Sequence, residues 1–131
     1  MGFTWLEGAE AGRRAVLAGA LVAALALLPV EVGAHAFVSR TEPRMSANLA
    51  ESPAQVRIWF DGPVEKMYLD VRVEAEDKRR VDKQDARLNP GDATLVEVGV
   101  PRLPAGRHRV FWKVVARDGH TREGSFSFLV K

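Results

Sequence analysis

The chain has 131 residues, with 19 Lys and Arg against 17 Asp and Glu, three histidines and no cysteine. Without cysteine there is no disulfide framework and no thiolate-ligated metal centre. The net charge of +2 is spread over interspersed charges of both signs, which leaves no electrostatic footprint for nucleic acid.

The first segment reads as targeting sequence rather than fold. Arg13 and Arg14 precede Ala15 to Val30, sixteen residues without a charge and rich in Ala and Leu. Pro29 then breaks any helix, and Gly33 and Ala34 supply small residues. A positive start, a short apolar run and a small-residue cleavage site mark a secretory signal peptide. A membrane anchor would need ~20 apolar residues, and this run is shorter. The Arg13-Arg14 pair also fits a twin-arginine export signal, and the general secretory route is equally open. Two cuts satisfy the small-residue rule. Cleavage after Ala34 makes His35 the first mature residue, whereas cleavage after Ala36 removes it.

The expected organisation is therefore a signal peptide over 1–34 and one domain over 35–131. That domain has 97 residues, enough for one modest core. Once Arg13, Arg14, Glu7, Glu10 and Glu31 are removed, it carries 17 basic and 14 acidic side chains, a net charge of +3. With no cysteine, its stability must come from the core. The run Lys78-Arg79-Arg80 sits among Glu74, Glu76, Asp77 and Asp82 and reads as a solvated hairpin or loop.

In chain order, an edge strand is expected to begin at His35. In "QVRIWF", Val56, Ile58 and Phe60 alternate with Gln55, Arg57 and Trp59. In "YLDVRVEAE", Leu69, Val71 and Val73 alternate with Asp70, Arg72 and Glu74. "TLVEVGV" and "HRVFWKVVA" continue the pattern, the latter with Val110, Trp112 and Val114 on one face. "SFSFLV" closes the chain with Phe126, Phe128 and Val130. Period two over short runs is the signature of half-buried strands. Asp61-Gly62-Pro63, Asn89-Pro90-Gly91-Asp92, Pro104-Ala105-Gly106 and Asp118-Gly119 supply the turns. No βαβ rhythm and no internal repeat intervene. The pattern predicts an all-β, antiparallel sandwich or small barrel with Greek-key connections.

Chemistry must then come from a few polar groups. His108, in "GRHRVF", is flanked by Arg107 and Arg109 at a strand start and reads as an exposed strand histidine. His120 follows Asp118 and Gly119 between two strands, and Asp-Gly-His alone is also an ordinary hairpin turn. The pair of His120 with His35 carries more. After a cut at Ala34, His35 offers an imidazole and a freed α-amine, which chelate one ion from a single residue. The amine has an ordinary pKa of ~8, low enough for a metal to displace its proton near neutrality. His120 completes a planar set of three nitrogens with the Asp118 carboxylate close by, and such a tetragonal nitrogen and oxygen set suits Cu(II).

These residues carry a resemblance. "HAFVSRTEP", "LAESPAQVRIWFDGPV" and "LPAGRHRVFWKVVARDGHTREGSFSFLV" together resemble the CopC family of exported copper-binding proteins, over essentially the whole mature chain. The most specific part runs from Leu103 to Val130, with Asp118-x-His120 and a final Gly-x-Phe-x-Phe strand. The histidine directly after the signal peptide is the second specific feature. The resemblance implies a Greek-key β-barrel of about seven strands, described as cupredoxin- or immunoglobulin-like. It implies one Cu(II) per chain, held by the amine and imidazole of His35, the imidazole of His120 and the carboxylate of Asp118. It also implies a periplasmic or exported protein that handles copper for resistance or uptake beside a CopD-type membrane protein, and it selects cleavage after Ala34; the mature chain is expected to be a monomer.

The sequence departs from that family in two places. Some members carry a methionine-rich Cu(I) loop. Here Met45 and Met67 stand far apart without a Met-x-x-Met cluster, read as packing or surface residues, and give no dedicated Cu(I) site. Where related sequences place a glutamate near the copper, Gly62 stands here with Asp61 one residue earlier. A one-residue shift along a strand turns a side chain to the opposite face, so a part for Asp61 in the site is left open. Trp112 reads as a core aromatic that can also wall the metal, while Trp59 and Phe111 fall on the other faces of their strands. Two further readings use the same residues. One is a copper monooxygenase built on the same histidine chelate, although 97 residues leave little room for a polysaccharide-binding face. The other is a metal-free sandwich that serves as an adhesion or interaction module.

Overall fold

Alternating apolar and polar side chains pair the chain into two four-stranded sheets in the computed structural model, which describes residues 37–131. The segment expected to be a signal peptide, and His35 with it, lies outside the described residues. The strands are β1 (Val38–Glu42), β2 (Asn48–Leu49), β3 (Gln55–Phe60), β4 (Val64–Glu74), β5 (Arg87–Asn89), β6 (Asp92–Gly99), β7 (Gly106–Ala116) and β8 (Thr121–Val130). One sheet runs β1-β3-β6-β5 and the other β2-β8-β7-β4. All pairings are antiparallel except that of β2 with β8. Among the described residues there is no helix. The all-β expectation holds, and the two-residue β2 brings the strand count to eight.

The core is built from the faces that the period-two reading put inward. Val56, Ile58, Phe60, Val96 and Val98 of one sheet meet Val71, Val73, Val110, Val114, Phe126, Phe128 and Val130 of the other. Each fully buried Val, Ile or Phe contributes roughly 1.5–3 kcal/mol, and no disulfide assists. Trp59 and Phe111 do lie on the outer faces, where cations cover them. The guanidinium groups of Arg40 and Arg57 stand 4.2 and 4.7 Å from the Trp59 ring centroid. Those of Arg72 and Arg109 stand 4.8 and 5.0 Å from that of Phe111.

His108 corrects the sequence reading. It is buried, at 1% relative exposure, and stacks on Phe128 with ring centroids 5.5 Å apart. The physical reason is parity: His108 shares the inward face of β7 with Val110, Trp112 and Val114, and the flanking Arg107 and Arg109 point the other way. Burial holds its pKa below the ordinary histidine value, against the opposing pull of the Gly106 carbonyl and the Glu76 charge.

The Lys78-Arg79-Arg80 run forms the expected exposed turn, closed by Lys78 N–H to the Ala75 carbonyl at 2.9 Å and an isolated bridge between Glu74 and Arg80. Its far end is fastened by Asp82. This buried carboxylate accepts the amides of Val73 and Gln84, each at 2.8 Å, and Arg80 Nε and Nη2 at 2.9 and 3.0 Å.

Candidate metal centre

The β7–β8 turn carries the Asp118-Gly119-His120 motif, and local bonding explains its shape. Gly119 N–H donates to the Ala116 carbonyl at 2.9 Å, and Ala116 N–H donates to the His120 carbonyl at 2.9 Å. Gly119 has φ +87°, a backbone state that favours glycine. Space is not the constraint, since a Cβ there would meet nothing within 4 Å.

Asp118 folds back on the turn. Its Oδ1 accepts the His120 backbone N–H at 2.9 Å, and its Oδ2 stands 3.2 Å from His120 Nδ1. The carboxylate is largely enclosed, with its side chain 18% exposed, whereas that of His120 is 60% exposed. A largely enclosed carboxylate therefore lies against an accessible imidazole, and the two present nitrogen and oxygen donors from one turn.

The start of the described chain is fastened at the same end of the sandwich. Asp61 and Phe37 exchange two bonds: Phe37 N–H donates to Asp61 Oδ1 at 2.6 Å, and Asp61 N–H donates to the Phe37 carbonyl at 2.8 Å. The Arg122 guanidinium lies 5.7 Å from the Phe37 ring centroid, and Arg122 is two residues beyond His120. Arg117 N–H donates to the Pro63 carbonyl at 3.2 Å, which ties the β7–β8 turn to the β3–β4 turn.

Of the three expected ligands, the structure brings Asp118 and His120 together, and His35 lies outside the described residues. Among the described residues, no group of three or more His, Cys, Asp or Glu could hold a metal ion. Trp112 is half-buried below this end of the sandwich, edge-on to Phe60 with centroids 5.2 Å apart. Met45 and Met67 are surface residues, 52% and 81% exposed. Sequence reasoning missed Phe37 and Arg122. The available signal was parity once more, because Arg122 occupies a position on β8 that Gly124, Phe126 and Phe128 assign to the inner face.

Residues 38–131 match the profile of the CopC domain. The chain is 30% identical over 107 residues to the copper transport protein CutJ of Bacillus subtilis (strain 168), covering 81% of this chain and 20% of the relative. It thus spans about a fifth of that relative's length. Over 125 residues it is 26% identical to copper resistance protein C of Escherichia coli, covering 90% of this chain and 96% of the relative. Among solved structures, CopC from Methylosinus trichosporium OB3b superposes with a TM-score of 0.70 at 27% identity, covering 74% of this chain and 94% of that one.

Proposed function

The chain belongs to the CopC family, and from that premise we propose that it is an exported Cu(II) carrier for copper resistance or transport, without catalytic turnover. One Cu(II), its cargo, is bound by the α-amine and imidazole of a mature N-terminal His35, by the imidazole of His120 and by the carboxylate of Asp118. The signal segment directs export by the secretory or the twin-arginine route and is cleaved after Ala34 in the process, and the protein acts as a monomer beside a CopD-type membrane protein.

The observation that carries this reading is the convergence at one end of the sandwich. Asp118 orients His120 there, and Phe37 is fastened to Asp61 and lies beside Arg122. In sequence, His35 is two residues ahead of Phe37. A ligand set held on a rigid β scaffold spares the cost of ordering a floppy site when the ion binds.

The test compares three preparations in competition with a Cu(II) chelator: protein beginning at His35, the same protein with its α-amine blocked, and a form with one extra residue ahead of His35. Both altered forms lose most of their affinity, whereas His108→Ala retains it. Equal affinity for the extended and native forms would refute the chelate.

A further inference from the structure

We infer that Asp61 is a positioning residue for this metal site: it holds Phe37 by both its N–H and its carbonyl, at the end of the sandwich that carries the Asp118–His120 turn. The inference rests on the reading above, in which His35 and His120 share one Cu(II).

Asp61 lies just past β3, where Val38 pairs with Phe60. The ladder therefore continues one step, and its last rung is Phe37 with Asp61. Here the carboxylate rather than a carbonyl accepts the inward bond, with Phe37 N–H at 2.6 Å from Oδ1, and the Asp61 amide returns a bond to the Phe37 carbonyl at 2.8 Å. A charged acceptor makes a stronger hydrogen bond than a neutral one. A strand end would otherwise fray, and this one lies two residues from the expected chelating amine. The grip is also connected to His120. From Asp61 the chain runs through Gly62 to Pro63, whose carbonyl receives Arg117 N–H at 3.2 Å, and Arg117 precedes Asp118. From the other side, the Arg122 guanidinium stands 5.7 Å from the Phe37 ring centroid. Phe37 is thus referenced to both flanks of the Asp118–His120 turn. Asp61 stands one residue before Gly62, and its Oδ1 is committed to the chain rather than offered to an ion.

The experiment uses mature protein beginning at His35 as wild type, Asp61→Ala, Asp61→Asn and His120→Ala. Three quantities are read: Cu(II) affinity against a chelator, the electron paramagnetic resonance spectrum of the one-copper form, and hydrogen exchange at the Phe37 amide. Asp61 is exposed, so its replacement leaves the core intact, which a thermal melt of each variant verifies. In Asp61→Ala, the Phe37 amide exchanges faster and Cu(II) affinity falls roughly 10-fold, the lower end for loss of an outer-shell partner. The spectrum keeps its wild-type parameters because the donor atoms are unchanged. Asp61→Asn, whose Oδ1 accepts the same bond, recovers most of the affinity.

Wild-type affinity in Asp61→Ala, alongside weakened binding in His120→Ala, overturns the positioning role and leaves the metal reading standing. An altered spectrum in both Asp61 variants makes Asp61 a ligand and also overturns it. Unchanged binding in His120→Ala removes the metal reading, and the positioning role falls with it.

Discussion

Asp118 holds His120 at two points, with Oδ1 on the backbone N–H at 2.9 Å and Oδ2 at 3.2 Å from Nδ1. The same carboxylate shapes the turn and aims the imidazole, so its removal should act on both. Asp118→Ala is expected to lower Cu(II) affinity by roughly 10–100-fold. Asp118→Asn keeps an acceptor for the amide but loses the charge beside the ring, and it should fall between alanine and wild type. Chelator competition on the three proteins checks the order.

Copper binding should weaken as pH falls, because the amine and both imidazoles must shed protons to bind. Titration of the one-copper protein should release copper on acidification and recover it on return to neutrality. His108→Ala should leave that pH profile in place, since His108 is buried in the core.

His108 itself should make the apo protein sensitive to acid. Its Nδ1 stands 3.1 Å from the Gly106 carbonyl, and its buried Nε2 has no hydrogen-bond partner among the described residues. Burial lowers its pKa in the folded state, so the unfolded chain takes up this proton first, near the ordinary value of ~6.5. Protonation therefore favours unfolding. The contribution is harmless above that pH, and stability declines as pH falls below it, by at most about 1.4 kcal/mol per pH unit. Urea unfolding at pH 7.5 and 5.5 should show a smaller decline in His108→Leu than in wild type.

Asp82 should behave in the opposite sense. Burial alone would raise its pKa, but the Arg80 bonds and the Val73 and Gln84 amides outweigh that and hold it below the ordinary carboxylate value. Its stabilisation is fully present above the unfolded value of ~3.9 and is lost as pH falls through the lower folded value. Asp82→Ala should cost about 2–4 kcal/mol, because two amides and a guanidinium lose a charged acceptor. Denaturant midpoints measure the loss.

Gly124 is a packing requirement rather than a conformational one. A Cβ there would come within 2.6 Å of Trp112 Cζ2, and Gly124 is the cross-strand partner of Trp112. Gly124→Ala should displace the indole from its place against Phe60 and cost about 1–3 kcal/mol, the usual range for overpacking. A shift in tryptophan emission, together with a lower melting temperature, is the expected signature.

The strands with strict alternation were legible in the sequence. "QVRIWF" is β3 residue for residue, and the inward faces of β4, β7 and β8 follow the stated parity. The short strands were not, because β2 and β5 have two and three residues, too few to show a period. His108 reads as exposed from its charged neighbours Arg107 and Arg109, yet the period-two parity of Val110 and Val114 puts it on the inner face. The Asp118–His120 pair could be expected from spacing within one turn. The Asp61–Phe37 grip could not, because it joins residues 24 apart through a strand pairing whose register only the fold supplies.

Native mass spectrometry of the exported protein, with and without one equivalent of Cu(II), tests the central claim most directly. A mass that begins at His35 and retains one copper is the predicted result. A mass that begins at Phe37, or a His35 form that leaves the copper in solution, would contradict it.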